Sequence, residues 1–283
     1  MQKIIDCHLH AHWPSKYAYN APTGSRIRED QLSLGAEGLD SALTYNGVHH
    51  ALIIQPGAYG YDNSAMLAKI AASGKRYKGI ANLPVETTAE EIRKLKTQGV
   101  MGVRLSQIHG NTGLFDVPGM DAFLKRCAEQ DFFVEVFVPM AQWITLGPLL
   151  QKSGARVIIE HFGWPILEEG LPQTGLAEMQ KFARDTKAVI KISAAFRVGI
   201  SGPPYADLQP WAAMALDTFG PERCMWGSDW PFLNTDTGPR KKAVALPVAY
   251  RNELDAVRSW LADEKVSDQV LYKTPAALFG FED

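Results

Sequence analysis

The stretch IIDCHLHAHWP (residues 4–14) places Asp6, His8, His10 and His12 at every second position, directly behind an apolar run. Side chains two residues apart lie on the same face of a β-strand. We therefore expect Asp6, His8 and His10 to project together, with the intervening residues on the opposite face. A carboxylate and imidazoles gathered in this way can transfer protons, donate hydrogen bonds to a developing anion, or bind a divalent metal ion. His12 lies beyond this strand and receives no role.

Two further apolar runs end in an ionisable residue: His161 in IIEHFGWP and Asp229 in MWGSDWP. All three motifs are followed by a Trp-Pro pair, at Trp13, Trp164 and Trp230. Proline restricts the backbone of the residue before it, so these tryptophans are held more rigidly than most loop residues. We expect Trp164 and Trp230 to line a substrate pocket, with anchoring of the loops as the alternative.

Short apolar runs alternate with amphipathic stretches along the whole chain. Many of these runs show no polar alternation, as expected for strands covered on both faces. The stretch TTAEEIRKLKTQ (87–98) has a threonine N-cap and acids in its first turn, which predict a helix. Eight strands alternating with helices predict one α/β domain over residues 1–283, a (β/α)8 TIM barrel with room for distortion. The predicted strands are 3–10, 50–56, 77–83, 100–106, 132–138, 156–162, 188–194 and 223–230.

Loop lengths indicate which end of this barrel carries the chemistry. The segments that follow helices are short, whereas those that follow strands are long, and in such barrels the loops after strands form the active face. His8, His10 and His161 lie at strand ends on that face, while His49 and His50 lie at the opposite end and are predicted to be structural. The long segments are 11–36, 107–117, 162–173, 194–204 and 231–242.

Composition excludes several classes of partner. The net charge is −2, which gives no reason to expect a nucleic acid or an anionic membrane surface. The sequence contains no apolar run of the roughly 20 residues that a membrane span needs, and no signal-peptide core. Three widely spaced cysteines favour a reducing compartment, so we expect a cytoplasmic protein. A homo-oligomer is compatible with the sequence.

The three motifs, in this order, resemble the amidohydrolase superfamily and specifically its amidohydrolase 2 branch. The resemblance rests on Asp-x-His-x-His in the first strand, His161-Phe162-Gly163 after the sixth, and Ser-Asp-Trp-Pro after the eighth. GVRL (102–105) and the C-terminal VLYKTPAALFGF extend it over nearly the whole chain. Within the branch, the chain is most similar to the lactonases, such as 2-pyrone-4,6-dicarboxylate lactonase, sugar lactonases and galactarolactone isomerases.

The resemblance also raises the question of a metal ion. Metal-dependent members use the histidine pair of strand 1 and the aspartate of strand 8, and usually add a lysine or histidine from strands 4 and 5. Here strand 5 reads FFVEVFVPMAQW and strand 4 ends VRLSQIHG, without those residues. His8, His10 and Asp229 would be the ligands if Zn²⁺ or another divalent ion were bound. A site with fewer protein ligands binds a metal ion less tightly, so we favour a site with no obligatory metal.

The resulting hypothesis is hydrolysis of a cyclic ester. Asp229 takes a proton from water as the general base, and His8, His10 and His161 donate hydrogen bonds to the oxygen that becomes negative. Asp6 is expected to orient a neighbour or to close a buried hydrogen-bond network.

The expected substrate is a small acidic lactone, such as an intermediate of aromatic or sugar-acid catabolism. Arg104 and Arg197 lie on the active face and match positions that the resemblance assigns to carboxylate binding. A third arginine expected a few residues past Arg104 is absent; QIHG stands there, with His109 nearest, which leaves room for a monocarboxylate or a sugar lactone. The alternatives are a metal-dependent decarboxylase or hydrolase, a lactone isomerase, and a barrel that binds a small molecule without turnover.

Overall fold

The predicted strands all form. The computed structural model describes residues 2–21, 26–27, 34–108, 114–233 and 248–282. Within them, eight parallel strands make one sheet in sequence order. Their bounds are β1 Ile5–Leu9, β2 His50–Ile54, β3 Tyr77–Ala81, β4 Val100–Ser106, β5 Phe133–Phe137, β6 Val157–Ile159, β7 Val189–Ser193 and β8 Cys224–Gly227.

The end of β8 returns to β1 and closes the sheet. The backbone amide of Asp229 donates to the carbonyl of His8 at 2.7 Å, and the amide of His10 donates to the carbonyl of Trp230 at 2.9 Å. The two strands approach so closely at Gly227 that a Cβ atom there would lie 2.5 Å from the Cβ of His8. The prediction of a single (β/α)8 barrel is therefore confirmed.

Helices follow the strands and cover the outside of the barrel. The predicted cap is present in α3, where Thr88 and Glu91 form a reciprocal capping box. None of the helices in the described part of the chain is both long and apolar enough to cross a membrane. Their bounds are α1 Leu39–Tyr45, α2 Ser64–Ala71, α3 Ala89–Thr97, α4 Met120–Glu129, α5 Trp143–Ser153, α6 Leu176–Asp185, α7 Ala195–Val198, α8 Gln209–Phe219, α9 Tyr250–Trp260, α10 Glu264–Asp268 and α11 Thr274–Phe279.

Apolar side chains seal the N-terminal end of the barrel. Phe279 and Phe281, from the end of the chain, pack into a buried cluster with residues from β1 to β8, among them Ile5 and Cys7. His50 packs on the ring of Phe281, with centroids 4.9 Å apart. His49 and His50 thus lie at the end opposite to the strand C-termini, where the sequence predicted structural roles.

The first strand departs from simple alternation. Asp6 pairs with Ala51 but Leu9 pairs with Ile53, so β1 contains one extra residue between them. Such a bulge interrupts the two-residue period. The prediction that Asp6, His8 and His10 share a face is wrong for Asp6, whose carboxylate bonds to Ser228 and Tyr250. Cys7, predicted on the opposite face, belongs to the barrel interior.

Candidate active site

Asp229 is the centre of the polar cluster at the C-terminal end of the barrel. It follows β8 with a φ of 62°, a left-handed conformation that is costly for a residue with a side chain. Its Oδ2 accepts from Nε of Arg197 at 2.8 Å, and its Oδ1 lies 3.2 Å from Nε2 of His10. Burial alone would raise the pKa of Asp229, but the charge of Arg197 and the hydrogen bond from His10 lower it well below its ordinary value. The carboxylate is therefore ionised.

His10 is oriented by a main-chain carbonyl of the next strand. Its Nδ1 lies 2.8 Å from the carbonyl oxygen of Ile54 at the end of β2. A carbonyl oxygen only accepts, so Nδ1 carries a proton. Nε2 is consequently the atom that His10 presents to Asp229.

His8 is fully buried between β5 and β7. Its Nδ1 lies 3.2 Å from Nζ of Lys191 and 3.5 Å from Oε1 of Glu135. Its Nε2 lies 3.6 Å from Oδ1 of Asp229 and has no hydrogen-bond partner among the described residues. Burial, followed by the charge of Lys191, lowers the pKa of His8 well below its ordinary value, so the ring is neutral.

His161 completes the group of imidazoles. It follows β6 with a φ of 47° and is 1% exposed. Its Nδ1 lies 2.8 Å from Oγ of Ser193, and its ring centroid lies 4.5 Å from that of His8. Burial lowers the pKa of His161 to about 3, so this ring is neutral as well.

Three buried charged residues of the barrel interior were not predicted from the sequence: Glu135 on β5, Glu160 after β6 and Lys191 on β7. Lys191 donates to Oε2 of Glu135 at 2.6 Å. Glu160 accepts two hydrogen bonds from Arg104, each 2.6 Å long. Burial raises the pKa of Glu135 above its ordinary value, whereas the charge of Lys191 lowers it and Glu160 adds to the rise. Arg104, against the effect of burial, lowers the pKa of Glu160 to about 2.

The sequence does contain a signal for these residues. Each is a single charge inside an apolar strand run, as in FFVEVFV, VIIEHF and AVIKISA. A lone charge in a strand that is covered on both faces must find a buried partner, because an isolated buried ion is very unfavourable. The identity of the partner depends on strand register, which the runs themselves do not reveal.

Asp6 links β1 to the segment that follows β8, where the barrel closes. Its Oδ1 accepts from the backbone amides of His8 and Ser228, both at 3.0 Å. Its Oδ2 accepts from the hydroxyl groups of Ser228 and Tyr250. The expectation that Asp6 closes a buried hydrogen-bond network is confirmed. This network fixes the backbone at His8 and at Ser228, the residue before Asp229.

The predicted catalytic residues Asp229, His8, His10 and His161 all converge at one end of the barrel. Among the predicted binding residues, Trp164 packs edge-on against Phe137, with centroids 4.7 Å apart, and lies 5.9 Å from the ring of His161. The other predicted binding residues have different surroundings. Trp230 is 5% exposed and belongs to the apolar core, Arg104 and Arg197 are engaged by internal carboxylates, and His109 lies outside the described residues.

The positions of the donor atoms bear on whether this cluster could hold a divalent metal ion. His8, His161 and Asp229 each offer a ligand atom, and these atoms lie within 4.8 Å of one another. The set predicted from the sequence has His10 in place of His161, and Nε2 of His10 lies 3.2 Å from Oδ1 of Asp229. Ligation requires a lone pair on Nε2, whereas in this arrangement Nε2 of His10 donates its proton to Asp229.

His8 does not meet this requirement either. The ammonium group of Lys191 has only donors, so its contact with Nδ1 needs the lone pair on that atom. The single proton of the neutral ring is then on Nε2, the atom that faces the cluster. The residues as arranged do not fit a metal ion that takes His8 as a ligand.

Comparisons with known proteins agree with this architecture. A family model described as amidohydrolase matches residues 5–281. The chain is 28% identical to a 4-sulfomuconolactone hydrolase of Rhizobium radiobacter, over 97% of this chain and 89% of the relative. It is 25% identical to a D-galactarolactone isomerase of Agrobacterium fabrum, over 97% of this chain and 90% of the relative.

Among solved structures, a probable 2-pyrone-4,6-dicarboxylic acid hydrolase of Acinetobacter baumannii with citric acid bound is similar in fold. The TM-score is 0.83 at 25% identity, over 98% of this chain and 99% of that one. The resemblance carried by the three sequence motifs is thus confirmed, and the chain belongs to the amidohydrolase family.

Proposed function

We propose that this protein hydrolyses a small acidic lactone, with Asp229 as the general base and without an obligatory metal ion. The observation that carries the proposal is the ionised carboxylate of Asp229 among three imidazoles, 3.2 Å from His10 and 3.6 Å from His8. The names of the relatives support the substrate class, because they include lactone hydrolases. A barrel that only binds a small molecule would not need a buried base beside several donors.

The mechanism follows from the protonation of these groups. Asp229 takes a proton from water, and the oxygen of that water attacks the lactone carbonyl. His8 presents Nε2–H toward the same space and donates to the carbonyl oxygen as it becomes negative. His10 and His161 are the further donors. When the tetrahedral intermediate collapses, the ring C–O bond breaks, and Asp229 returns its proton to the leaving oxygen.

The contacts of the cationic side chains favour a substrate with a single carboxylate. Arg104 is held by Glu160 through two hydrogen bonds of 2.6 Å, and Lys191 is held by Glu135 at 2.6 Å. The side chain placed to meet a substrate carboxylate is Arg197, which borders Asp229.

Lactone isomerisation is the second candidate, because one relative is a D-galactarolactone isomerase. The same base and donors could move a lactone between two hydroxyl groups without water entering the product. Turnover in H₂¹⁸O separates the two reactions. A hydrolase places ¹⁸O in the new carboxylate, whereas direct isomerisation does not.

The decisive experiment is the substitution Asp229→Asn, assayed on a panel of mono- and dicarboxylated lactones with and without a chelator. We expect kcat to fall by about 10²- to 10⁴-fold, the contribution typical of a general base, with substrate binding largely retained. Asp217→Asn, at an exposed position of α8, is the matched control and should retain full activity. Activity of Asp229→Asn close to that of the unmodified protein, or loss of all activity with the chelator, would refute the proposal.

A further inference from the structure

Lys191 occupies an unusual position for a charged side chain. It lies in the middle of β7 and is 0% exposed. Removing an ammonium group from water is strongly unfavourable, so a buried lysine needs close partners. Among the described residues, its polar contacts are Oε2 of Glu135 at 2.6 Å and Nδ1 of His8 at 3.2 Å. The mechanism proposed above assigns Lys191 no chemical step.

The contact with His8 decides which nitrogen of that ring is protonated. All the hydrogen atoms on Nζ of Lys191 are donors, and the ammonium has no lone pair. Nδ1 of His8 must therefore accept, and the proton of the neutral ring must be on Nε2. That atom is buried, has no hydrogen-bond partner among the described residues and faces Asp229. It is oriented as a donor to whatever enters the site.

We propose that Lys191 is a positioning residue that keeps His8 in the Nε2–H form and thereby prevents the cluster of His8, His161 and Asp229 from binding a divalent metal ion. The proposal rests on the proposed function only for the identity of the group to which His8 donates. The effect of Lys191 on the tautomer of His8 and on metal binding is independent of turnover.

Glu135 provides the alternative partner for His8. Its Oε1 lies 3.5 Å from Nδ1 of His8 and has no hydrogen-bond partner among the described residues. Without Lys191, a proton on Nδ1 no longer faces an ammonium group and can be donated to this oxygen. Nε2 then offers a lone pair beside His161 and Asp229. A carboxylate behind a ligating imidazole is the arrangement that metal sites commonly use. A divalent cation would select this tautomer.

The first measurement uses the unmodified protein with ¹⁵N-labelled histidine. The two ring nitrogens of His8 should give one pyrrole-type signal, coupled to a proton at Nε2, and one pyridine-type signal at Nδ1. His8→Asn identifies the signals by their loss. A pyridine-type Nε2 in the unmodified protein would overturn the proposal, whatever happens in the variants.

The second measurement compares Co²⁺ binding, by calorimetry and by visible absorption, in the unmodified protein and in Lys191→Met. We expect the variant to bind one equivalent about 10- to 100-fold more tightly, the range over which partners of a ligating histidine act. The His8 signals of the variant should shift toward Nδ1–H when Co²⁺ is replaced by Zn²⁺. Equal affinity in the two folded proteins would overturn the proposal.

Loss of a positive charge could by itself raise the affinity for Co²⁺. Arg104→Met tests this explanation. Arg104 contributes to the electrostatic environment of His8, but its hydrogen bonds go to Glu160 rather than to His8. Lys181→Met, at the surface of α6, controls for the substitution itself. If Arg104→Met gained as much Co²⁺ affinity as Lys191→Met, charge rather than the tautomer would be responsible and the proposal would fail. Failure of the lactone assay with these results intact would refute only the proposed function.

Discussion

Glu253 makes the stability of this fold depend on pH in a way that one substitution can isolate. The side chain lies on α9 and is 1% exposed, and its Oε2 accepts from the backbone amide of Phe196 at 3.3 Å. Burial raises the pKa of Glu253 to about 8, against hydrogen bonds from Tyr205 and Phe196 and with a contribution from the charge of Asp229. At neutral pH the folded protein holds a proton on Glu253 that the unfolded chain releases.

The sign and the magnitude of the pH dependence of stability follow from this difference in bound protons. A carboxyl group whose pKa is raised on folding stabilises the protein fully below its unfolded pKa, 4.5, and loses that contribution as pH rises toward its folded pKa. Each pH unit within the window lowers the free energy of unfolding by up to about 1.4 kcal/mol. Between about pH 5 and about pH 7, Glu253 should therefore lower the free energy of unfolding by about 2.5 kcal/mol.

The test is urea denaturation of the unmodified protein and of Glu253→Gln at several values of pH, followed by tryptophan fluorescence. Glutamine retains the acceptor for Phe196 and does not ionise, so the variant should gain stability relative to the unmodified protein as pH rises. His8 and His161, whose pKa values are lowered by burial, contribute with the opposite sign in both proteins and cancel in the difference. Glu86→Gln, at an exposed position, is the control. A difference that does not change with pH would refute the reasoning.

Two further substitutions test the barrel closure and the part of Arg104 in substrate recognition. Gly227→Ala should destabilise the protein by about 1–3 kcal/mol and lower kcat more than it raises KM, because the new Cβ would lie 2.7 Å from the backbone nitrogen of His8. Gly147→Ala, with 3.9 Å to its nearest neighbour, should not destabilise in the same denaturation assay. Glu160→Gln removes the carboxylate held by Arg104, and competition between lactones should show the preference for a dicarboxylate over a monocarboxylate rising about 10-fold, equivalent to about 1.4 kcal/mol. An unchanged preference would show that Arg104 does not take part in recognition.

The fold could be predicted from the sequence because each strand carries its own signal. Runs such as HALIIQP and FFVEVFV are bounded by helix patterns and need no knowledge of their neighbours to be recognised. The positions of His8, His161 and Asp229 at strand ends follow from the same runs. In a closed parallel barrel, strand ends of one direction meet at one rim, so their convergence was predictable too.

The contacts inside the barrel could not be predicted in the same way. The bulge in β1 changes the orientation of Asp6 and Cys7, and it lies where His8 closely approaches Gly227, more than two hundred residues away along the chain. The pairing of Lys191 with Glu135 likewise depends on two strands that are not neighbours in the sheet. Long-range register of this kind is a property of the folded barrel rather than of any single run.

The contacts of Asp229 also explain why an acidic substrate would suit this site. In the described arrangement the carboxylate is held by Arg197 and His10, which lower its pKa and therefore make it a weak base. A carboxylate on the substrate would compete for the guanidinium group of Arg197. If the guanidinium turned toward the substrate, Asp229 would lose its strongest stabilising charge and gain basicity. The base would then be strong only when the substrate is bound, so that recognition of the acid group and activation of water depend on the same arginine.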